Sequence, residues 1–198
     1  MKAKDFFKGQ AFKSILVLTL IALVVGGLLA ILNDVLFISD EERTQQAIKK
    51  IYGKEVAYTD VALQDTDKDN KFGSIANVYK MEDGKVLIKS VGKNGYKNGT
   101  VTLWLVATFD NDKFNGFEKI TVAGNTKQSL IGNFGDSFIS GFIGENETVK
   151  GDAFYTSKPE NDNVTHINAG ATFSSTAFNN AVNSALVFVR NFDIKEGK

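Results

Sequence analysis

Apolar and polar positions along this chain fall into three successive patterns. The first is an uninterrupted uncharged run from Ser14 to Leu32, SILVLTLIALVVGGLLAIL. As a helix rising about 1.5 Å per residue, it is just long enough to cross a hydrocarbon core of about 30 Å. The second pattern starts at Ser39-Asp40-Glu41-Glu42, which has the form of a capping box with Ser39 as N-cap. Ala47, Ile48, Ile51 and Tyr52 then share one side of a short helix that Gly53 stops. This helix is expected to continue the membrane helix after a break, as a stalk.

The third pattern is largely of the β type. Ser74 to Met81 and Lys85 to Val91 flank the turn Glu82-Asp83-Gly84. Thr100 to Phe109, TVTLWLVATF, is rich in β-branched and aromatic residues and reads as the strongest strand, with Trp104 in the core. After the turn Asp110 to Lys113, Gly116 to Val122 reads as its antiparallel neighbour. A glycine-punctuated stretch, Gly124 to Phe142, reads as loop and short helix, and Val149 to Tyr155 as a further short strand. Phe178, Val182, Ala185 and Val189 recur at helical spacing and mark the buried face of a last helix, Thr176 to Asn191. These elements predict an α+β domain: an antiparallel sheet with helices packed at its ends. The expected divisions are a cytoplasmic N-terminus (1–13), a transmembrane helix (14–32) and one extracytoplasmic domain (33–198).

Charge refines the membrane reading. Lys2, Lys4, Lys8 and Lys13 precede the apolar run, whereas Asp34, Asp40, Glu41 and Glu42 follow it. The excess of lysine predicts that the N-terminal side faces the cytoplasm. No small-x-small cleavage site ends the run, which favours a retained single-pass anchor over a signal peptide. Lys+Arg and Asp+Glu both total 23, so no basic field argues for nucleic acid. The chain has no cysteine and one histidine, His166. Disulfides, thiolate metal sites and a Ser-His-acid set therefore have no basis here. Asp65 to Asn70 opens like a calcium loop, but Asn70 stands where the turn needs glycine and Ala76 where it needs a bidentate glutamate. A solvated acidic loop is the expectation.

The candidate chemistry lies in Ala169-Gly170-Ala171-Thr172-Phe173-Ser174-Ser175, just ahead of the last helix. Small residues let a ligand approach the backbone there, and helix N-terminal amides favour an anion such as phosphate. Thr172 is expected a few residues before the helix, with Ser174, Ser175 and Thr176 near its N-cap. Helix capping by serine and threonine is the plainer explanation, but capping alone does not call for the Gly170-Ala171 pair.

That run resembles the flavinylation motif of the FMN-binding domains in Rnf-complex G subunits and sodium-pumping NADH:quinone oxidoreductase C subunits. The resemblance spans nearly the whole chain: one membrane helix, then Gly95-Tyr96-Lys97-Asn98-Gly99-Thr100 before the best strand, then Asn125-Thr126-Lys127-Gln128-Ser129-Leu130-Ile131-Gly132, then the terminal motif. It implies FMN joined by a phosphoester to Thr172, with Gly170, Ala171, Ser174 and Ser175 around the phosphate. Thr126, Ser129 and Leu130 would stand beside the ring. The implied partners are the membrane, a magnesium-dependent flavin transferase with FAD as donor, and other Rnf-type membrane subunits or extracellular redox partners. The implied role is an electron-transfer subunit rather than a stand-alone enzyme, with Thr172 as tether and the cofactor as carrier. The chain departs from the motif at His166, where the family has an acidic residue, and at Ala169, where it has Ser or Thr. Asn125 and Lys127 replace the family's Glu and Pro. These departures keep a second reading open, an anchored scaffold or binding domain that holds flavin noncovalently or not at all.

Overall fold

The computed structural model of the protein describes residues 9–36, 38–144, 152–160 and 162–192. The chain divides into two compact units, one ending at Ile48 and the other beginning at Lys49. In the first, helix α1 (Gln10–Leu36) extends the uncharged run at both ends. Phe12 to Asn33 is long and apolar enough to cross a membrane, and its Leu, Ile and Val side chains are exposed. Helix α2 (Asp40–Tyr52) starts with the expected capping box. The Glu42 N–H donates to Ser39 Oγ at 3.1 Å and the Ser39 N–H donates to Glu42 Oε2 at 3.2 Å. Gly53, at φ 72°, ends it. The expected break between the two helices is present: Ile38 and Ser39 are non-helical, and residue 37 lies outside the described residues.

The second unit is built on strands β1 (Tyr58–Asp60), β2 (Gly73–Met81), β3 (Val86–Gly92), β4 (Val101–Asp110) and β5 (Lys113–Asn125), an antiparallel meander in that order. The β4–β5 turn falls on the expected residues, Asp110 to Lys113. Asp110 pairs with Lys113, so only Asn111 (φ 49°) and Asp112 (φ 64°) make the turn. Two left-handed residues give the twist that a two-residue hairpin needs, and β5 starts three residues before the expected Gly116. The acidic stretch after β1 is not wholly loop: Asp65–Lys68 forms a helical turn, α3, with Lys68 Nζ 2.8 Å from Asp65 Oδ1.

After β5 come a 3-10 turn (Ser129–Asn133) and the short helix α4 (Asp136–Ser140). Strand β6 (Tyr155–Thr156) then pairs in parallel with β7 (Val164–Thr165). Of the strand expected over Val149 to Tyr155, residues 149–151 lie outside the described residues, and the described strand begins at Tyr155. Helix α5 (Thr172–Asn191) closes the unit.

Helix α5 lies across a face of the sheet, not at its end as expected. Its residues Ala177, Phe178, Ala181, Val182, Ala185 and Leu186 are fully buried, in one core with Ile88, Leu103 and Leu105 of the sheet. Small residues on both sides explain the geometry. Ser90 Oγ on β3 donates to the Ala181 carbonyl at 2.7 Å. A Cβ on Gly92 would stand 2.1 Å from the Ala177 carbonyl oxygen. Such close approach lets the sheet bury a continuous helix face, at about 1.5–3 kcal/mol per large apolar side chain.

The opposite face is also covered. Trp104 is buried beside Tyr79, with ring centroids 6.0 Å apart, and Lys89 Nζ lies 5.3 Å from its ring. At the end of α2, Ile51 is buried and its carbonyl accepts from Lys119 Nζ of β5. Trp104 is thus a core residue, as expected.

Candidate functional site

Helix α5 begins at Thr172, four residues earlier than expected. The reason is its N-cap, Ala171, which has no side-chain oxygen and so leaves no capping signal in the sequence. The turn before it is closed by the Ala171 N–H donating to the Asn168 carbonyl at 3.0 Å. Gly170 sits third in that turn at φ 79°, a left-handed conformation that glycine adopts without penalty. A Cβ on Gly170 would meet open space, so the outer side of this turn is free.

Serine capping therefore does not explain the motif. Ser174 and Ser175 are buried within the first turn and a half of α5. Ser175 Oγ accepts from the Asn168 N–H at 2.9 Å and pins the turn. Thr176 Oγ1 donates to the Thr172 carbonyl at 2.9 Å. The first amides of α5, from Thr172 to Ser174, have no intrahelical acceptor, and no side chain caps them. Thr172 itself is exposed on this first turn. Its hydroxyl and the backbone around Gly170 are what the motif offers to solvent, whereas the Ser174 and Ser175 hydroxyls are turned to structural work.

Two loops meet this helix end because β3, β4 and β5 all terminate there, with Val101 paired to Gly92 on one side and to Asn125 on the other. Their junction is Gln128, 1% exposed. Its Oε1 accepts from the Tyr96 N–H and from Ser174 Oγ, both at 3.1 Å. Its Nε2 donates to the Tyr96 and Thr126 carbonyls, again at 3.1 Å each. One amide thus joins the loop of residues 93–100, the loop of residues 125–133 and the first turn of α5. Gly95 and Gly99 are needed for it: a Cβ on Gly99 would lie 2.4 Å from Gln128 Nε2, and one on Gly95 2.6 Å from it.

The remaining expected residues divide by role. Thr126 Oγ1 accepts from the Thr100 N–H at 2.9 Å and clasps the two loops together. Ser129 and Leu130 are exposed at the start of the 3-10 turn. Lys97 and Lys127 stand one on each loop, and Lys127 Nζ donates to the Lys97 carbonyl at 3.3 Å. The helix end itself suits an anion: an exposed hydroxyl, uncapped amides and an open turn.

Gln128 was not legible as a site residue in the sequence, nor were the exposed rings of Tyr96 and Phe173. Phe173 did carry a signal. It lies five positions before Phe178, out of phase with the buried face of α5. Truncating Gln128 strips partners from Tyr96, Thr126 and buried Ser174 together. With buried unsatisfied groups worth about 1–3 kcal/mol each, Gln128→Ala should destabilise the unit by about 3 kcal/mol. A lowered thermal midpoint of the full chain in mild detergent would show this.

His166 lies in the loop that follows β7 and is half-buried. Its ring packs on Phe138 and Phe142, with centroids 4.5 and 4.4 Å away, and its Nε2 lies 2.8 Å from the Phe138 carbonyl oxygen. Its own carbonyl accepts from Asn179 Nδ2 at 2.8 Å. Among the described residues, no group of three or more His, Cys, Asp or Glu gathers as a metal site. Comparison with models of known protein families and with curated proteins returns no match.

Proposed function

We propose that this chain is a membrane-anchored extracytoplasmic flavoprotein that carries electrons through FMN joined by a phosphoester to Thr172. The carrying observation is the exposed Thr172 on an uncapped first turn of α5, beside the open side of Gly170. The motif's resemblance to Rnf G and sodium-pumping C subunits supplies the identity of the group. The residues present fit it: the uncapped amides of α5 for the phosphate, a hydroxyl for the tether.

The apolar helix α1 would hold the unit at the membrane, with the lysine-rich N-terminus on the cytoplasmic side. No base accompanies Thr172 among the side chains described around it, so a separate flavin transferase would make the bond. Thr172 Oγ would form a bond to the FMN phosphorus of FAD while the pyrophosphate bond breaks, releasing AMP and the hydroxyl proton. The flavin, once bound, supplies reversible electron transfer. The chain's part is to hold the phosphate at the helix end and to present the ring outside the sheet. Electron donors and acceptors would be other membrane subunits or extracellular redox partners.

Thr172→Ala should abolish flavin fluorescence in the denatured protein band after co-expression with a flavin transferase, and Thr172→Ser should keep it. A fluorescent Thr172→Ala band would place the tether elsewhere. The second reading, a flavin-free scaffold domain, draws on His166, whose ring is packed into the aromatic cluster where the resembled family carries an acid. A wild-type band without flavin, under conditions that load an established substrate of the transferase, would favour it.

A further inference from the structure

We propose, resting on the flavin-tether reading, that Tyr96 and Phe173 form the platform on which the isoalloxazine ring of a flavin at Thr172 is held. Tyr96 is 50% exposed and Phe173 61%, the two aromatic side chains among the exposed large apolar residues described. They stand together, with ring centroids 6.2 Å apart and planes at 64°. Edge-to-face rings at this spacing leave an apolar step that a planar aromatic ligand can cover. Phe173 follows Thr172 directly in the first turn of α5, so a ring tethered at Thr172 starts beside it.

The platform is unusually well fixed for an exposed feature. Gln128 holds both the N–H and the carbonyl of Tyr96, and the same Oε1 takes the hydroxyl of Ser174, the neighbour of Phe173. A buried amide therefore fixes the backbone of Tyr96 and the side chain next to Phe173, while both aromatic residues stay exposed. Asn94, Lys97 and Asn98 keep left-handed φ values of 68°, 50° and 57° around Tyr96. Non-glycine residues adopt that region at a cost, which the surrounding bonds must offset. Lys97 Nζ lies 5.4 Å from the Tyr96 ring centroid, so positive charge stands next to the platform. A phosphate-bearing planar ring matches this combination of apolar step and cations.

The test uses the full chain in detergent, co-expressed with a flavin transferase, with Tyr96→Ala, Tyr96→Phe and Tyr96→Trp alongside the wild type. Intact mass first establishes loading at Thr172 in each chain. A phenol or indole in contact with a flavin quenches its fluorescence, whereas a phenyl ring quenches it weakly. Fluorescence per bound flavin should be low in the wild type and Tyr96→Trp, and several-fold higher in Tyr96→Ala and Tyr96→Phe. Flavin anisotropy should fall in Tyr96→Ala. Equal fluorescence in all four loaded chains would overturn the platform and leave the tether standing. Absence of flavin mass in the wild type would overturn the tether reading, and the platform with it.

Discussion

Gly92→Ala should destabilise the sheet–helix unit by about 3 kcal/mol or more, the upper end for an overpacked site. The new methyl would stand 2.1 Å from the Ala177 carbonyl oxygen and 2.2 Å from the Ala181 nitrogen. Both are backbone atoms of α5, so no side chain can rotate away and the helix itself must shift. That shift would break the Ser90 Oγ bond to the Ala181 carbonyl, beside it on the same strand. With whole-domain stabilities of about 5–15 kcal/mol, the loss is a large fraction of the total. Gly124→Ala is the matched control, since its Cβ would meet open space at an ordinary φ. Thermal or urea unfolding of both variants should separate them clearly, with Gly124→Ala within about 1 kcal/mol of wild type.

Phe178→Ala should cost about 3–5 kcal/mol, the range for deleting a fully buried phenyl ring. Phe178 is 0% exposed and its ring meets those of Phe134, Phe138 and Phe142 at 5.8, 5.3 and 5.2 Å. Phe134 follows the 3-10 turn, Phe138 lies in α4 and Phe142 just beyond it, so the ring ties α5 to the segment carrying Gln128. Phe178→Leu retains most of the volume and should cost under about 1.5 kcal/mol. Urea midpoints that fell equally for both would contradict packing as the origin of the effect. Loss of Phe178 should also loosen His166, which packs on Phe138 and Phe142.

Sheet and core were legible because their signals are local in sequence. The turn between β2 and β3, the β-branched and aromatic run of β4 and the 178–182–185–189 spacing of α5 all mark elements that the structure contains. The capping box at Ser39 was equally readable, since both partners lie within four residues. What failed was information carried by contacts distant in sequence. The start of α5 was misplaced because Ala171 caps without a side-chain acceptor, while the nearby serines that suggest caps are buried for other purposes. The docking of α5 on the sheet face turns on Gly92 and Ser90 meeting residues some ninety positions away. Gln128 sits in a polar loop and shows its role only when three segments converge on it. The contacts of His166 likewise show only when α4 and the residues after it bring an aromatic cluster to its ring.

A flavin on Thr172 would show most plainly in the intact mass of the protein. The full chain would be produced in cells with and without a flavin transferase, denatured to release loosely held ligands, and weighed. A gain of one FMN less one water, dependent on the transferase and mapped by peptide fragmentation to Thr172, is the predicted result. An unchanged mass in cells where a known substrate of the same transferase is loaded would mean that Thr172 carries no flavin.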